Sequence, residues 1–521
     1  MNHRVLTTLL FVTYLLVGWF VVDDYGITFD EGIQRQQGLT ATRIILDKLG
    51  IEHPDMRSQH NYRSQYGMLF QTTAVLVELA TGALGDSYRF YRIRHIMGFL
   101  LYGLALLFFY RTLRIRWPDR RWYPLLGTAL LLLTPRLFAH AFFNPKDHIL
   151  LVFYVIATYT LANYLRKRST GALAWHVVAT ALALNSRLPA LIIVGATAAI
   201  LSWEYLTERR PATPYRYWHL PAYLIGSFLL MLPLFPYLWS DPVTNMATTL
   251  ATMTTFPYGG DNQIFATYFK SGETPFWYLP AWIAITTPVA YLLFIGCGVG
   301  LTAVRAVSAL RRGRLWDGLA GQLDVVQLGL SVGPLLLVIG LHAVVYNGWR
   351  HVHFIYPGLV FLALTGFAYL RARWPRATPV ILGAGMLWTA INMVRMHPNQ
   401  QVYFNEAIHG DYLAKRFDMD YWGASYRGAF IALAKQVPDG ETRRIKCLNW
   451  PCIDNLQSMP PPYRGKLIYE PKYHLSDYVA TNFLYPTERT ALADRTDVFV
   501  DPVLEVAPRG DIIVGIYRLN Y

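Results

Sequence analysis

The sequence has few charged residues and few cysteines. Only 15% of its 521 residues are Asp, Glu, Lys or Arg, whereas 54% are hydrophobic and the mean hydropathy is +0.25. This composition and its long apolar runs exclude an ordinary soluble globular protein and indicate a polytopic membrane protein. No P-loop, GxGxxG or HExxH pattern occurs in a suitable context, so the commonest motifs of nucleotide and zinc chemistry are missing.

The three cysteines provide little covalent framework. Cys297 lies in an apolar run, which favours a buried position. Cys447 and Cys452 lie in a polar region, where an oxidising compartment favours a local disulfide over two free thiols. Their CxxxxC spacing is a poor zinc or redox signature.

The positive charge of the chain follows its membrane topology. The net charge is +14, but the basic residues stand in short clusters between apolar runs, as the positive-inside rule requires, so nucleic acid is not an expected partner. With the N-terminus inside and an odd number of spans, the C-terminal region lies outside. The segment Tyr66–Leu84 is short and interrupted by polar residues, which predicts an interfacial helix. We expect about eleven spans, near 5–22, 93–112, 122–140, 149–165, 172–186, 189–206, 219–238, 276–304, 327–346, 354–370 and 377–396.

The apolar runs stop near residue 397, which divides the chain into a membrane domain, 1–396, and a small extracytoplasmic α/β domain, 397–521. In the second part DYWGASYRGAFIALAKQV has helical spacing of its apolar residues. KLIYE, DYVATNF, DVFVDPVLEV and IIVGIYRL alternate or run apolar, which is typical of strands.

A pair of acidic residues, Asp30 and Glu31 in FDEG, follows the first span. Ionisable groups at a membrane face are costly to desolvate, so they are usually solvated, paired or functional. An ordinary wet loop is the alternative, because Asp23 and Asp24 lie nearby.

Basic residues recur in the other outward loops. In NPKDH, Pro145 interrupts the helix, Lys146 adds a positive charge and Asp147 adds a second carboxylate. Arginine suits phosphate oxygens, so several of these residues together predict a site for a lipid-borne phosphate. A single one is more often a snorkelling residue, and no second ligand cluster supports a metal at the histidines. The remaining outward candidates are Arg63, Arg187, Arg350, His351 and His353.

Taken together, these motifs resemble the GT-C superfamily of integral-membrane glycosyltransferases. The matching features are an outward FDE, YG at the end of the same loop, a proline–acid motif after the third span, a basic residue between the fifth and sixth spans, and an outward RH before YP. The chain is most similar to the protein O-mannosyltransferases and the lipid A aminoarabinose transferases. FWYLPAWIAITTP and YWGASYR also look like bacterial members of this branch.

The resemblance implies a polyprenyl-phosphate sugar donor at the outer leaflet and an acceptor hydroxyl activated by the first-loop carboxylate. Asp30 becomes the candidate general base, Glu31 its neighbour, and Asp147 the second acid of the cavity. The resemblance implies that the donor phosphate is held by basic residues, for which the candidates are Lys146, Arg63, Arg187, Arg350 and His351. Arg63 and Arg187 stand where relatives often have Lys. The C-terminal domain is smaller than in some relatives.

We therefore expect single-step transfer of a hexosyl or pentosyl group to an acceptor hydroxyl, with inversion, at the periplasmic face of a bacterial inner membrane. The acceptor is a lipid, a glycan or a protein, and membrane lipids surround the chain. No nucleotide or redox cofactor is required, and ligand spacing gives no support for a divalent metal. Alternatives are a ligase or polymerase of lipid-linked oligosaccharides, and a transporter or flippase of polyprenyl-linked sugars. Eleven spans are too many for a simple anchor.

Overall fold

The computed structural model describes residues 3–56, 65–207, 217–254, 259–408, 413–494 and 496–519. The helices before residue 396 are α1 (His3–Val21), α2 (Phe29–Leu49), α3 (Leu69–Ala80), α4 (Ser87–Arg116), α5 (Tyr123–Leu132), α6 (Pro135–Phe143), α7 (Asp147–Lys167), α8 (Thr170–Ser186), α9 (Leu191–Thr207), α10 (His219–Met231), α11 (Pro242–Thr254), α12 (Tyr278–Thr286), α13 (Val289–Leu310), α14 (Gly318–Gly340), α15 (Tyr356–Arg373) and α16 (Ala377–Arg395). A hairpin of β1 (Asp261–Ile264) and β2 (Thr267–Lys270) lies between α11 and α12.

The protein is an integral membrane protein with a mostly helical architecture. Within the described ranges, eight helices are long and apolar enough to cross a membrane, and the bent pair α5–α6 adds a ninth if it forms one span. Two further predicted spans, 172–186 and 219–238, correspond to α8, with 17 residues, and to the short helix α10. The expected number of eleven spans stays a prediction.

Two predicted spans are broken in the structure, and a proline lies at each break. The segment 122–140 is divided into α5 and α6, which meet at an angle of 66° just before Pro135. The segment 276–304 is divided into α12 and α13, with Pro288 as the residue before α13. Proline removes a backbone donor and clashes with the preceding turn, so a continuous apolar run does not guarantee one straight helix.

The helices α7 and α15 form the centre of the membrane part, where they are buried along most of their length, whereas α1 and α16 are mostly exposed on its outside. Close helix contacts depend on small residues. At Gly298 in α13, an added Cβ would lie only 1.8 Å from the carbonyl oxygen of Leu362 in α15. The two backbones therefore touch at this point.

The helix α3 has 12 residues and a rise of about 18 Å, which is shorter than the roughly 30 Å hydrocarbon core. Its buried Glu78 accepts hydrogen bonds from Arg35 of α2 at 3.0 Å and from Arg94 of α4 at 2.7 Å. Arg92 of α4 pairs with Asp23 at 2.9 Å. With spans at 5–22 and 93–112, the predicted topology places Arg92 and Arg94 near the outer face, against the positive-inside rule. Their acidic partners explain how these two arginines are accommodated in the predicted topology.

The C-terminal part contains a five-stranded sheet in the order β4-β3-β5-β7-β6. The strands β3, β4 and β5 are parallel to one another, and β7 runs antiparallel to β5 and β6. The sheet domain, its first helix and four of its strands agree with the sequence prediction, whereas the internal strand β3 was missed because RRIKC is mostly charged. The elements are β3 (Arg443–Cys447), β4 (Leu467–Tyr469), β5 (Tyr478–Thr481), β6 (Pro502–Val506), β7 (Val514–Arg518), α17 (Tyr426–Ala434), α18 (Trp450–Gln457) and α19 (Pro486–Asp494).

The chain between the last membrane helix and the sheet packs with the membrane helices. Phe404, Phe417 and Trp422 belong to the same hydrophobic core as the membrane helices, whereas the core of the sheet domain begins at Tyr426. The domain boundary at 396/397 stays a prediction. The connecting residues that follow it pack in the core of the membrane part. Within the sheet domain, a disulfide joins the end of β3 to α18 through Cys447 and Cys452.

Candidate active site

The loop after α1 leads into a capping box at the start of α2. Glu31 accepts hydrogen bonds from the backbone N–H of Thr28 at 2.8 Å and from its hydroxyl at 3.1 Å. The other carboxylate oxygen of Glu31 lies 2.9 Å from Nε2 of His95. These contacts give Glu31 a structural role at the helix start, and they engage both of its oxygens away from Asp30. The predicted acidic pair is therefore divided between two environments.

Asp30 lies on the second residue of α2, beside a cluster of cations. Its carboxylate accepts a hydrogen bond from Arg350 at 2.9 Å, and its side chain retains 19% exposure. Burial acts to raise the pKa of Asp30, but the charges of Arg350, Lys146 and Arg187 outweigh it and lower the pKa below its usual value. Asp30 is therefore an ionised carboxylate that remains accessible.

The NPKDH motif forms the turn between α6 and α7. The side-chain oxygen of Asn144 accepts a hydrogen bond from the N–H of Asp147, the first residue of α7, at 2.8 Å. The Asp147 carboxylate, which is 3% exposed, contacts the guanidinium of Arg187 and lies 3.9 Å from Arg350. Asp147 thus links two arginines from different loops.

Lys146 lies in the same turn and faces the same cations. Its ammonium nitrogen is 4.4 Å from the ring centre of Tyr66. Burial, together with the neighbouring charges of Arg187 and Arg350, lowers the pKa of Lys146 to about 7, although Asp30 acts in the opposite direction. The ammonium group is therefore close to losing its proton under neutral conditions.

Arg187 lies in the extended turn after α8, and burial lowers the pKa of its guanidinium. Arg350 lies in the turn that precedes α15 and packs against two aromatic rings, with its guanidinium carbon 4.7 Å from the ring centres of both Tyr346 and Trp422. The ring of His351 packs against Tyr346 at 4.5 Å. These contacts fix the orientation of the arginine in the site.

The structure brings together most of the residues that the sequence analysis singled out. Arg63 lies outside the described residues. Sequence reasoning missed Tyr346 and Trp422, which hold Arg350 in place. Trp422 lies within the YWGASYR segment, so a signal was present, but it gave no indication of a contact with the site. The residues that lie close together are Asp30, Lys146, Asp147, Arg187, Arg350 and His351.

The arrangement places two carboxylates among three cations. Arg187, Arg350 and a protonated Lys146 exceed Asp30 and Asp147 by one positive charge, so the site suits a monoanion such as a phosphodiester. In the described ranges, no group of three or more His, Cys, Asp or Glu side chains has an arrangement that suits a metal ion.

No family model matches the chain, and no curated protein matches it. Among solved structures, ArnT from Cupriavidus metallidurans in the apo state aligns with 99% of this chain and 98% of its own, at 13% identity and a TM-score of 0.51. ArnT bound to undecaprenyl phosphate aligns with a TM-score of 0.47 at 12% identity, over 98% of this chain and 97% of its own.

Two larger proteins align less completely. The apo oligosaccharyltransferase from Archaeoglobus fulgidus has a TM-score of 0.47 at 11% identity, and the alignment covers 88% of this chain and 66% of that protein. The chain therefore spans just under two thirds of its length. The arabinofuranosyltransferase AftD from Mycobacteria has a TM-score of 0.46 at 13% identity, over 100% of this chain and 40% of AftD. The match to apo ArnT confirms the predicted GT-C fold.

Proposed function

We propose that this protein transfers a sugar from a polyprenyl-phosphate-linked donor to an acceptor hydroxyl at the outer face of a bacterial inner membrane. The observation that carries the proposal is the contact of the Asp30 carboxylate with Arg350 in a cluster that also contains Lys146 and Arg187. A proton acceptor and a set of phosphate-binding cations are the two components that such a transfer needs. Undecaprenyl phosphate is bound in a structure of the Cupriavidus ArnT.

In the proposed step, the acceptor hydroxyl gives its proton to Asp30 while its oxygen forms a bond to the anomeric carbon. The bond between that carbon and the phosphate oxygen breaks, and its electron pair stays on the departing polyprenyl phosphate. Lys146, Arg187 and Arg350 stabilise the negative charge that develops there. Attack opposite the leaving group inverts the anomeric configuration.

The ion pair between Asp30 and Arg350 couples donor binding to the basicity of Asp30. Arg350 keeps the carboxylate ionised and oriented at 2.9 Å. A donor phosphate beside Arg350 shares the guanidinium, so it raises the pKa of Asp30 and makes the carboxylate a stronger base once the donor is bound. Asp147 remains paired with Arg187, where it holds the arginine toward the leaving group.

The ends of the helices support the proposed orientation. The site lies where α7 and α15 begin, and the opposite ends of these helices carry Arg166 and Lys167, and Arg371 and Arg373, respectively. The positive-inside rule assigns such ends to the cytoplasm. The site, together with the sheet domain above it, is then on the outer side.

The test is transfer by the purified protein in lipid nanodiscs, with polyprenyl phosphates that carry different radiolabelled hexoses or pentoses. Asp30→Asn keeps the size of the side chain but removes the base, and we expect it to abolish transfer while donor binding persists. Asp24→Asn, which removes a half-exposed carboxylate from the same loop, is the matched control and keeps its activity. Normal transfer by Asp30→Asn would contradict the assignment.

Mass spectrometry of glycolipids and glycoproteins from cells with and without the chain identifies the sugar and the acceptor. A difference in one class of glycoconjugate defines the acceptor. Movement of labelled donor between leaflets without a new glycosidic bond would instead favour a flippase.

A further inference from the structure

The sheet domain forms hydrogen bonds with the backbone just before α2, the helix that carries Asp30. Asn455 of α18 accepts a hydrogen bond from the N–H of Ile27 at 2.9 Å and donates one to the carbonyl oxygen of the same residue at 2.8 Å. Asn455 is fully buried and Ile27 is 1% exposed. One side chain thus satisfies both polar groups of a residue that lies three positions before Asp30.

Neighbouring contacts restrict the same stretch of backbone. The N–H of Phe29 donates to the carbonyl oxygen of Trp422 at 3.1 Å. A Cβ added to Gly26 would lie 2.2 Å from the carbonyl oxygen of Ala424 and 2.8 Å from Oδ1 of Asn455. The segment of backbone just before α2 therefore has no room to shift toward the sheet domain.

Two further contacts hold the Asn455 side chain and its helix in place. Asn455 donates a second hydrogen bond to the carbonyl oxygen of Pro451 at 2.7 Å, within its own helix. Three residues before Asn455, Cys452 forms the disulfide with Cys447 at the end of β3. The disulfide thus ties the helix that carries Asn455 to the sheet.

We infer that Asn455 is a positioning residue for the transfer reaction. Its two hydrogen bonds to Ile27 set the place at which α2 begins, and through it the position of the Asp30 carboxylate relative to Arg350. This inference rests on the proposed function. Misplacement of a reacting group by about 1 Å is enough to slow a reaction by about 100-fold. Loss of the two hydrogen bonds to Ile27 therefore lowers turnover more than it weakens donor binding.

The test compares Asn455→Ala with Asn449→Ala in nanodiscs, using undecaprenyl-phosphate mannose or the sugar that the wild-type protein transfers. Asn449 is a buried asparagine of the same domain whose amide donates to Thr481 and Asn482, away from α2. We expect Asn455→Ala to lower kcat by about 10- to 100-fold with donor affinity within about twofold of the wild type. We expect Asn449→Ala to lower the melting temperature with little effect on kcat.

Hydrogen exchange supplies a readout that does not depend on turnover. The amide of Ile27 should exchange faster in Asn455→Ala than in the wild type, because its acceptor is gone, and should be unchanged in Asn449→Ala. Equal kcat values for the two variants, or an unchanged Ile27 amide, would overturn the inference. If the wild-type protein transfers no sugar, the proposed function fails instead. If Asn455→Ala does not fold, Asn455→Asp, which keeps an oxygen acceptor for the Ile27 N–H but has no amide donor for its carbonyl oxygen, should give an intermediate kcat.

Discussion

Donor binding should weaken as the pH rises above about 7, because Lys146 loses its proton there. Burial and the charges of Arg187 and Arg350 make the protonated form of Lys146 costly. A phosphodiester beside the ammonium group supplies a negative charge and raises the pKa again. Binding therefore takes up a proton above pH 7, and the apparent affinity depends on pH.

The size of the effect follows from the pKa of about 7. At pH 6 nearly all of Lys146 is protonated, whereas at pH 8.5 only about 3% is, so the affinity falls by at most about 30-fold, or about 2 kcal/mol. The phosphodiester does not titrate in this range. Asp30 stays ionised throughout, because its pKa is lowered below the usual carboxylate value.

The assay is equilibrium binding of a farnesyl-phosphate hexose to the protein in nanodiscs between pH 6 and 8.5. Lys146→Arg is the control, because a guanidinium keeps its charge over the whole range. We expect the affinity of this variant to vary much less with pH. An unchanged wild-type affinity, or the same pH dependence in Lys146→Arg, would refute the reasoning that Lys146 is the titrating group.

Three further outcomes are expected. Arg350→Ala should weaken donor binding most among single substitutions of the cations. Arg350→Lys should not restore binding, since one ammonium group cannot reproduce the two parallel hydrogen bonds of a guanidinium. Unchanged donor affinity of Arg350→Ala in the binding assay would exclude a phosphate-binding role for Arg350. Gly298→Leu should destabilise the membrane part by about 1–3 kcal/mol through backbone overlap, whereas Gly296→Leu, which meets open space in the same helix, should leave the melting temperature unchanged. Replacing both Cys447 and Cys452 by Ser should cost about 2 kcal/mol in denaturant unfolding of the sheet domain, because the closed loop is short; equal unfolding midpoints would contradict this.

The predicted membrane topology was enough to expect that the site residues lie close together. Asp30, Lys146, Asp147, Arg187 and Arg350 all lie in loops that an odd number of spans puts on one side, and the hydrogen bonds and ion pairs of the structure bring them together. The separate role of Glu31 was also readable, since Thr28 and Glu31 have the spacing of a capping box. Proximity to Asp30 drew attention away from that pattern.

Other parts of the site have no sequence signal that connects them to it. Aromatic residues make up 15% of the chain, and most of them are expected at the membrane interface, so nothing distinguished Tyr346 and Trp422 as the residues that hold Arg350. Asn455 contacts Ile27 across 428 positions of sequence. Such contacts depend on how the sheet domain docks, which local spacing does not encode. The broken spans were missed because hydropathy counts apolar residues and does not register Pro135 as a bend.

The aromatic residues Phe404, Phe417 and Trp422 have a consequence for biosynthesis. They complete the interior of the helical bundle, yet they emerge from the ribosome only after every candidate membrane helix has been made. Part of the interior of the bundle therefore stays uncovered until this connecting stretch has been made and has packed against the helices. A protein shortened at residue 396 would keep all of these helices and still lack the groups that close them into one body.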